Sequence, residues 1–548
     1  MNVAQRLSEM AAARPDQPAV AAAVGRGRAG EWQWSTLTFA ELDRHSDRMA
    51  AALRRLGALP GSRLALFVPA GPAFVVCVFG LLKAGVMAVL IDPGMGRRNL
   101  LGCLAEARID GLIGVPATHA IRRLLRRRWP SSRFHVTVGR RWFWGGPTYQ
   151  QIVSEPWPGP QAQDLPPEAP AAMIFTSGST GPPKGVLYQQ ATFLHQVQAL
   201  QVFGMQPGEV DLACFPLFGL FNAALGLTTV FPPMDFARPG TADPAEVVAA
   251  VEHWQCSQAF ASPAVWERVT GYCLPRGLVL GSLRRVASAG APVSPRLLEM
   301  LSKCLPPQAE IHTPYGATEA LPVADITAGE VLGDTAAAHR AGRGICVGRR
   351  FPEVAWKVIR QTPEGIPTLD QAEELGTGEI GELIVSGPMV TRAYLTGESH
   401  NALSKIHHAG EVWHRMGDVG YLDAQDRFWY CGRMTHRVDT AFGPLYTECC
   451  EAIVNEHPSI RRSALVGVGP RGEQVPVIVA EPWPAAFPRG QAATATLVQE
   501  LCSLLAANET TRRIDTVLLH PSLPVDTRHN AKIFREQVAL WAARRLRR

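Results

Sequence analysis

One run of residues constrains this chain more than any other: Met173-Ile174-Phe175-Thr176-Ser177-Gly178-Ser179-Thr180-Gly181-Pro182-Pro183-Lys184-Gly185-Val186. It opens on an apolar triplet that reads as a buried strand, then becomes Gly, Ser, Thr and Pro around a single lysine. Glycines let the backbone turn tightly and bring amide N–H groups up to an anion. The hydroxyls add donors, and the lysine adds a point charge suited to phosphate. Such compositions are often plain surface loops. The ordered string directly after a strand predicts a phosphate loop instead. It is not a Walker A loop, because Pro183 precedes the lysine and Gly185 stands where Ser or Thr belongs.

A chain of 548 residues with 47% hydrophobic and 19% charged residues is globular and too long for one core, so two or more domains are expected. The formal charge of +6 is local: Arg122, Arg123, Arg126, Arg127 and Arg128 lie close together, and Arg544, Arg545, Arg547 and Arg548 end the chain. Both clusters read as a solvated helix face and a tail. With no interleaved aromatic platform, nucleic acid is not expected as a partner. Eleven scattered cysteines without a CxxC spacing argue for a reducing, cytoplasmic setting. Met1 to Arg14 lacks the apolar core of a signal peptide. The most apolar stretch, Ala73 to Ile91, is broken by Gly80, Lys83 and Gly85, and reads as a buried helix entering a strand at Met87. No transmembrane segment is expected.

Helical spacing over Ala40–Leu56, a strand at Leu64–Val68 and a helix at Ala73–Lys83 alternate as in an α/β sheet with crossover helices. Gln189–Phe203 predicts a further helix. Toward the C-terminus, strands at Ser463–Val468 and Val475–Ala480 and helices at Gln491–Ala507 and Ile533–Arg545 predict a smaller unit.

Further runs carry chemistry. Val286 to Pro292 (VASAGAP) reads as a strand ending in a tight turn, and Thr313 to Glu319 (TPYGATE) follows it. His414 to Gly420 (HRMGDVG), Phe428 to Arg433 (FWYCGR) and Leu523 to Arg535 (LPVDTRHNAKIFR) complete the series. Tyr315 offers a π-face, Thr318 a neutral donor, Glu319 a hard oxygen ligand and Asp418 two acceptor oxygens. In this order the runs resemble the adenylate-forming superfamily of acyl-CoA synthetases, firefly luciferase and peptide-synthetase adenylation domains.

The resemblance implies a fold and a site. The fold is a large N-terminal domain of α/β subdomains, residues 1–434, followed by a small mobile α+β C-terminal lid, residues 435–548. ATP and Mg²⁺ would be used. Thr176, Ser177, Gly178, Ser179, Thr180, Gly181 and Lys184 would cradle the phosphates, and Gly290, Ala291 and Pro292 would lie against adenine. Tyr315 would stack on the base beside Gly316 and Ala317. Thr318 would meet the α-phosphate and Glu319 would hold Mg²⁺. Asp418 and Arg433 would take the ribose, Lys532 would serve adenylation, and Thr435 would be the hinge. Phe218, Gly219 and Phe221 would shape the acyl pocket.

Departures from the superfamily pattern bear on the second step. Gly219 replaces a common histidine, predicting a roomier pocket. Thr435 replaces Asp or Lys at the hinge, and Ala531 replaces the glycine before Lys532. In Val438–Leu445, where CoA ligases pass pantetheine, Asp439 stands for lysine and Gly443 is displaced and followed by proline. The strings TPYGATEALPV, PGEVDLACFPLFGL, HRMGDVGYLD and PVDTRHNAKIFR resemble the β-lactone synthetases of bacterial long-chain olefin biosynthesis. That likeness implies a 2-alkyl-3-hydroxy fatty acid substrate whose own hydroxyl attacks the activated carboxyl, and association with a neighbouring reductase and hydrolase. The competing readings are a long-chain acyl-CoA synthetase or acyl-AMP ligase, and a catalytically silent scaffold subunit. His195, His312 and Asp235 are candidates for the base acting on the hydroxyl, by nearness in sequence alone.

Overall fold

Short apolar runs separated by helices satisfy their backbones as interior strands of a parallel sheet. In the computed structural model, which describes residues 2–176, 183–525 and 533–547, Phe134–Thr137, Gly111–Gly114, Arg63–Phe67, Met87–Leu90, Pro170–Phe175 and Gly185–Gln189 lie in that spatial order. All neighbours are parallel except the last pair, where Phe175 stands opposite Gly185. The strands on either side of the glycine-rich run are therefore an antiparallel pair at the edge of an otherwise parallel sheet.

A second sheet orders Glu310–His312, Arg285–Ser288, Gln258–Ala261, Val210–Ala213, Thr228–Phe231, Pro18–Arg26 and Trp32–Thr38, parallel up to the final antiparallel pair. A third, antiparallel throughout, runs from Tyr315–Ala317 through Arg427–Arg433 and Glu411–Leu422 to Ala355–Ile359. The predicted helices form at Phe39–Arg55, Pro72–Lys83 and Gln190–Val202. Lys83 is fully buried at the end of the apolar helix, where Asp43 and Asp47 accept from its ammonium at 2.6 and 2.7 Å. A buried charge survives because it is paired on both sides. Among the described residues no helix is long and apolar enough to cross a membrane.

After Arg433 a single turn, Met434–His436, carries exposed Thr435 into the hairpin Val438–Thr440/Gly443–Leu445. Beyond it Ile460–Val468, Val475–Pro482 and Thr516–Leu519 form a three-stranded sheet. Its two faces have separate apolar clusters. Leu465 and Ile478 meet Leu501 and Leu505 of the helix Gln491–Ala506, while Val477 and Val479 meet Val538 of the helix Arg535–Leu546. Arg437 donates to Gln361 at 2.7 Å, tying this part of the chain to the third sheet's surroundings.

Candidate active site

Thr176 and Lys184, at the two ends of the glycine-rich run, bond to each other. The Thr176 amide donates to the Lys184 carbonyl at 3.0 Å, and the Lys184 amide donates back to the Thr176 hydroxyl at 3.1 Å. Ser177, Gly178, Ser179, Thr180 and Gly181, together with Lys532, lie outside the described residues.

Tyr315–Ala317 is the edge strand of the third sheet. A side chain at Gly316 would meet the Ala320 carbonyl oxygen at 2.7 Å, so the tight approach requires glycine there. Asp418 and Arg433 are fifteen residues apart yet directly paired across two antiparallel strands. Arg433 donates to one Asp418 oxygen at 2.6 Å, and the Tyr315 hydroxyl donates to the other at 2.5 Å. Desolvation, reinforced by Asp418, pushes the Tyr315 hydroxyl well above its ordinary value, so it remains a donor. Gly290, Ala291 and Pro292 form the turn after Arg285–Ser288, with Gly290 at φ +92°.

The second group surrounds Glu319. Its Oε1 accepts from the Tyr394 hydroxyl at 2.6 Å, and its main-chain oxygen accepts from the Thr391 amide at 2.8 Å. The preceding carbonyl, of Thr318, accepts from the Tyr188 hydroxyl at 2.6 Å. The Tyr394 ring has two ammonium groups within cation–π range, Lys184 at 5.2 Å and Lys405 at 5.6 Å. Burial lowers the Lys184 pKa, Glu319 opposes that shift and Arg433 adds to it, so this lysine shares a field with both groups. Lys405 is 2% exposed and donates to the Thr391 carbonyl at 2.5 Å. Burial brings its pKa down to about 7, against the pull of Glu319. His414, buried beside it, is held well below its ordinary value by desolvation and then by Lys405. Tyr188, Tyr394 and Lys405 were not singled out in the sequence. Their nearness depends on an isolated bridge between Val186 and Tyr394, which no local pattern announces.

No described residue donates to the second Glu319 oxygen, and no group of three or more described acidic, histidine or cysteine side chains clusters as a metal cage. One oriented carboxylate with an open oxygen suits Mg²⁺, which commonly takes one or two carboxylates plus substrate phosphates.

A cavity opens beside the Gly290–Pro292 turn, reaching Ala289 and Pro314. Its walls are mainly apolar and include Leu200, Phe203, Phe218, Phe221 and Phe260. Phe218 stacks on Phe260 with ring centroids 3.8 Å apart. At the far end stand Asp211, Gln258 and Arg285. Burial raises the Asp211 carboxyl to about 6, and Asn222 donates to it at 2.7 Å.

Gly219 corrects the expectation of a roomier pocket. A Cβ there would point at Phe231 (2.8 Å) and Thr229 (2.9 Å), away from the cavity, so the glycine lets its helix lie close on the strand Thr228–Phe231. None of the three base candidates lines the cavity. His195 lies 3.8 Å from Glu353, His312 is bonded to Asp325 at 2.7 Å, and Asp235 accepts from Arg238 at 2.8 Å in an exposed turn.

Residues 7–395 match the family of AMP-binding enzymes. The chain is 44% identical to the olefin beta-lactone synthetase of Xanthomonas campestris pv. campestris, over 99% of this chain and 97% of that one. It is 43% identical to the olefin beta-lactone synthetase of Stenotrophomonas maltophilia, over 100% and 98%. Among solved structures, O-succinylbenzoate coenzyme A synthetase from Bacillus subtilis, in complex with ATP and magnesium ion, superimposes with a TM-score of 0.74 at 19% identity, over 97% of this chain and 98% of that one. The chain belongs to the AMP-binding enzyme family, on the branch that holds the olefin beta-lactone synthetases.

Proposed function

We propose that this enzyme uses ATP to activate a 2-alkyl-3-hydroxy fatty acid and then closes it to a β-lactone in long-chain olefin biosynthesis. Full-length identity of 43–44% to two olefin beta-lactone synthetases carries the reading. In the first step a carboxylate oxygen attacks the α-phosphorus and pyrophosphate leaves. In the second the substrate's own hydroxyl oxygen bonds to the acyl carbon, AMP departs with the electron pair, and a proton is released. The nucleophile is already part of the substrate, so positioning replaces a bimolecular encounter.

In this reading Tyr315 and the Gly290–Pro292 turn bind adenine, and Asp418, oriented by Arg433, accepts from the ribose. Lys184 and the loop of Thr176 to Gly181 hold the phosphates, with Thr318 at the α-phosphate. Mg²⁺ at Glu319 would neutralise phosphate charge as pyrophosphate leaves. Lys532 adds a cation at the reacting carboxylate. Residues 435–548 act as a lid that turns about Thr435 over residues 1–434. The same proposal includes a cytoplasmic setting, in keeping with free thiols at every cysteine. It also includes association with the pathway's reductase and hydrolase, which co-purification tests.

Product identification by NMR, with ATP, Mg²⁺ and a 2-alkyl-3-hydroxy acid, tests the reaction. A β-lactone and AMP are expected whether or not CoA is added, and a thioester formed only with CoA overturns the reading. ATP–pyrophosphate exchange should be lost in Lys532→Ala, whereas wild-type protein that exchanges with no acid would be a scaffold.

A further inference from the structure

We infer that the two hydrocarbon arms of the substrate occupy two separate apolar cavities that meet at Phe221. The inference rests on the proposed substrate class and locates its parts. In a 2-alkyl-3-hydroxy acid the arms leave adjacent carbons, next to the carboxyl that must reach ATP. They diverge at once, so a single narrow tube that accepts one arm leaves the other without a place.

The structure holds a second, smaller cavity on the other side of the helix Phe218–Leu225 from the polar end of the first. Every residue lining it is apolar, among them Val78, Leu82, Ala172, Phe193, Val197 and Ala224. Among the described residues, Phe221 alone lines both cavities. Its ring centroid lies 6.0 Å from Phe218, in the first, and 6.1 Å from Phe193, in the second. The ring is a partition between them.

Protein interiors are close-packed, and space left against buried aliphatic side chains costs stability. A pocket with no polar wall offers a hydrogen-bonding ligand nothing, so the chemistry it accepts is hydrocarbon. The two cavities differ at their ends. The first runs from the strand ends near Ala289 to Gln258 and Arg285 at the strand starts, a depth of about 10 Å at the rise of a β-strand. It terminates on polar groups that would stop an alkyl chain, whereas the second has no polar floor.

Filling the second cavity should therefore shorten the tolerated length of one arm only. Val197→Phe and Ala224→Leu, made in the full chain, would be assayed for lactone formation with two substrate series, one varying the C2 arm and one varying the C3 arm. In both variants kcat/KM for the longest member relative to the shortest should fall at least tenfold in one series and keep the wild-type ratio in the other. Parallel changes in both series, or in neither, overturn the inference. A variant that turns over no substrate has lost its fold, and Phe221→Ala, which removes volume, then decides: length preference should relax in both series, and unchanged preferences overturn the partition. Wild-type protein that makes no lactone from any member would defeat the proposed function itself, a result distinct from all of these.

Discussion

The site has two halves built on opposite principles. On the charged side, hydrogen bonds and cation–π contacts link Tyr315, Asp418 and Arg433 in one group and Lys184, Glu319, Tyr394 and Lys405 in another. On the apolar side, mainly aromatic and aliphatic walls enclose space, with few polar groups among them. Charge chemistry tolerates little variation in residue type or position, because each atom has a specific counterpart. Hydrocarbon recognition depends on volume, which many apolar residues supply equally well. Loss of a single group should therefore cost much on the first side and shift only preference on the second.

The sharpest break of that contrast is Glu319→Gln. Gln keeps an acceptor for Tyr394 but removes the charge facing Lys184, and ATP–pyrophosphate exchange should fall about 100- to 1,000-fold, the scale of losing one preorganised electrostatic group. A rate within threefold of wild type would remove Glu319 from the charged half.

Lys405 tests whether that half is held at a cost. Its folded pKa is about 7 against an ordinary 10.5, so between these values the unfolded chain binds more protons and stability rises with pH. Below pH 7 both states are protonated and the full penalty of the buried ammonium is present. Urea unfolding of wild type and Lys405→Met should show wild type gaining about 2 kcal/mol relative to the variant from pH 7 to pH 9. Equal slopes would mean that the ammonium is not strained.

Gly219→Ala probes the apolar half. The added methyl meets Phe231 and Thr229 below 3.0 Å, so the helix must shift. Overpacking of about 1–3 kcal/mol, offset by about 1 kcal/mol of helix propensity, predicts a net loss of up to about 2 kcal/mol. Chain-length preference should stay as in wild type. A shortened preference with unchanged stability would return Gly219 to the pocket wall.

These residues also mark what the sequence made legible. The strand that opens the run 173–186 was legible from its apolar residues, whereas its antiparallel partner Gly185–Gln189 was not read from the sequence. Asp418 and Arg433 stood out by type and context, and a simple antiparallel register brings them together. Lys405 did not, since Lys405-Ile406-His407-His408 alternates like a half-exposed strand, and only the tertiary contact with Thr391 reveals its burial. Gly219 was misread because a missing side chain says nothing of where it would have pointed. The second cavity was invisible for a related reason: its residues come from three helices, two strands and the start of the chain, far apart in sequence, each an ordinary core residue taken alone.

Tyr394→Phe makes the smallest change and separates two accounts of how the charged half is assembled. Phenylalanine keeps the ring between Lys184 and Lys405 and removes only the hydroxyl that donates to Glu319 at 2.6 Å. If the hydroxyl aims the carboxylate, as partners behind a metal ligand do, the Mg²⁺ concentration giving half-maximal ATP–pyrophosphate exchange should rise about three- to tenfold, or roughly 1 kcal/mol. The maximal rate would change little, because the carboxylate itself remains. If Tyr394 serves only as a brace between two cations, the Mg²⁺ dependence should stay where it is and the ring should supply all that matters. The rise is expected: a single oriented oxygen leaves the other open, and a carboxylate free to rotate would be drawn toward Lys184 instead.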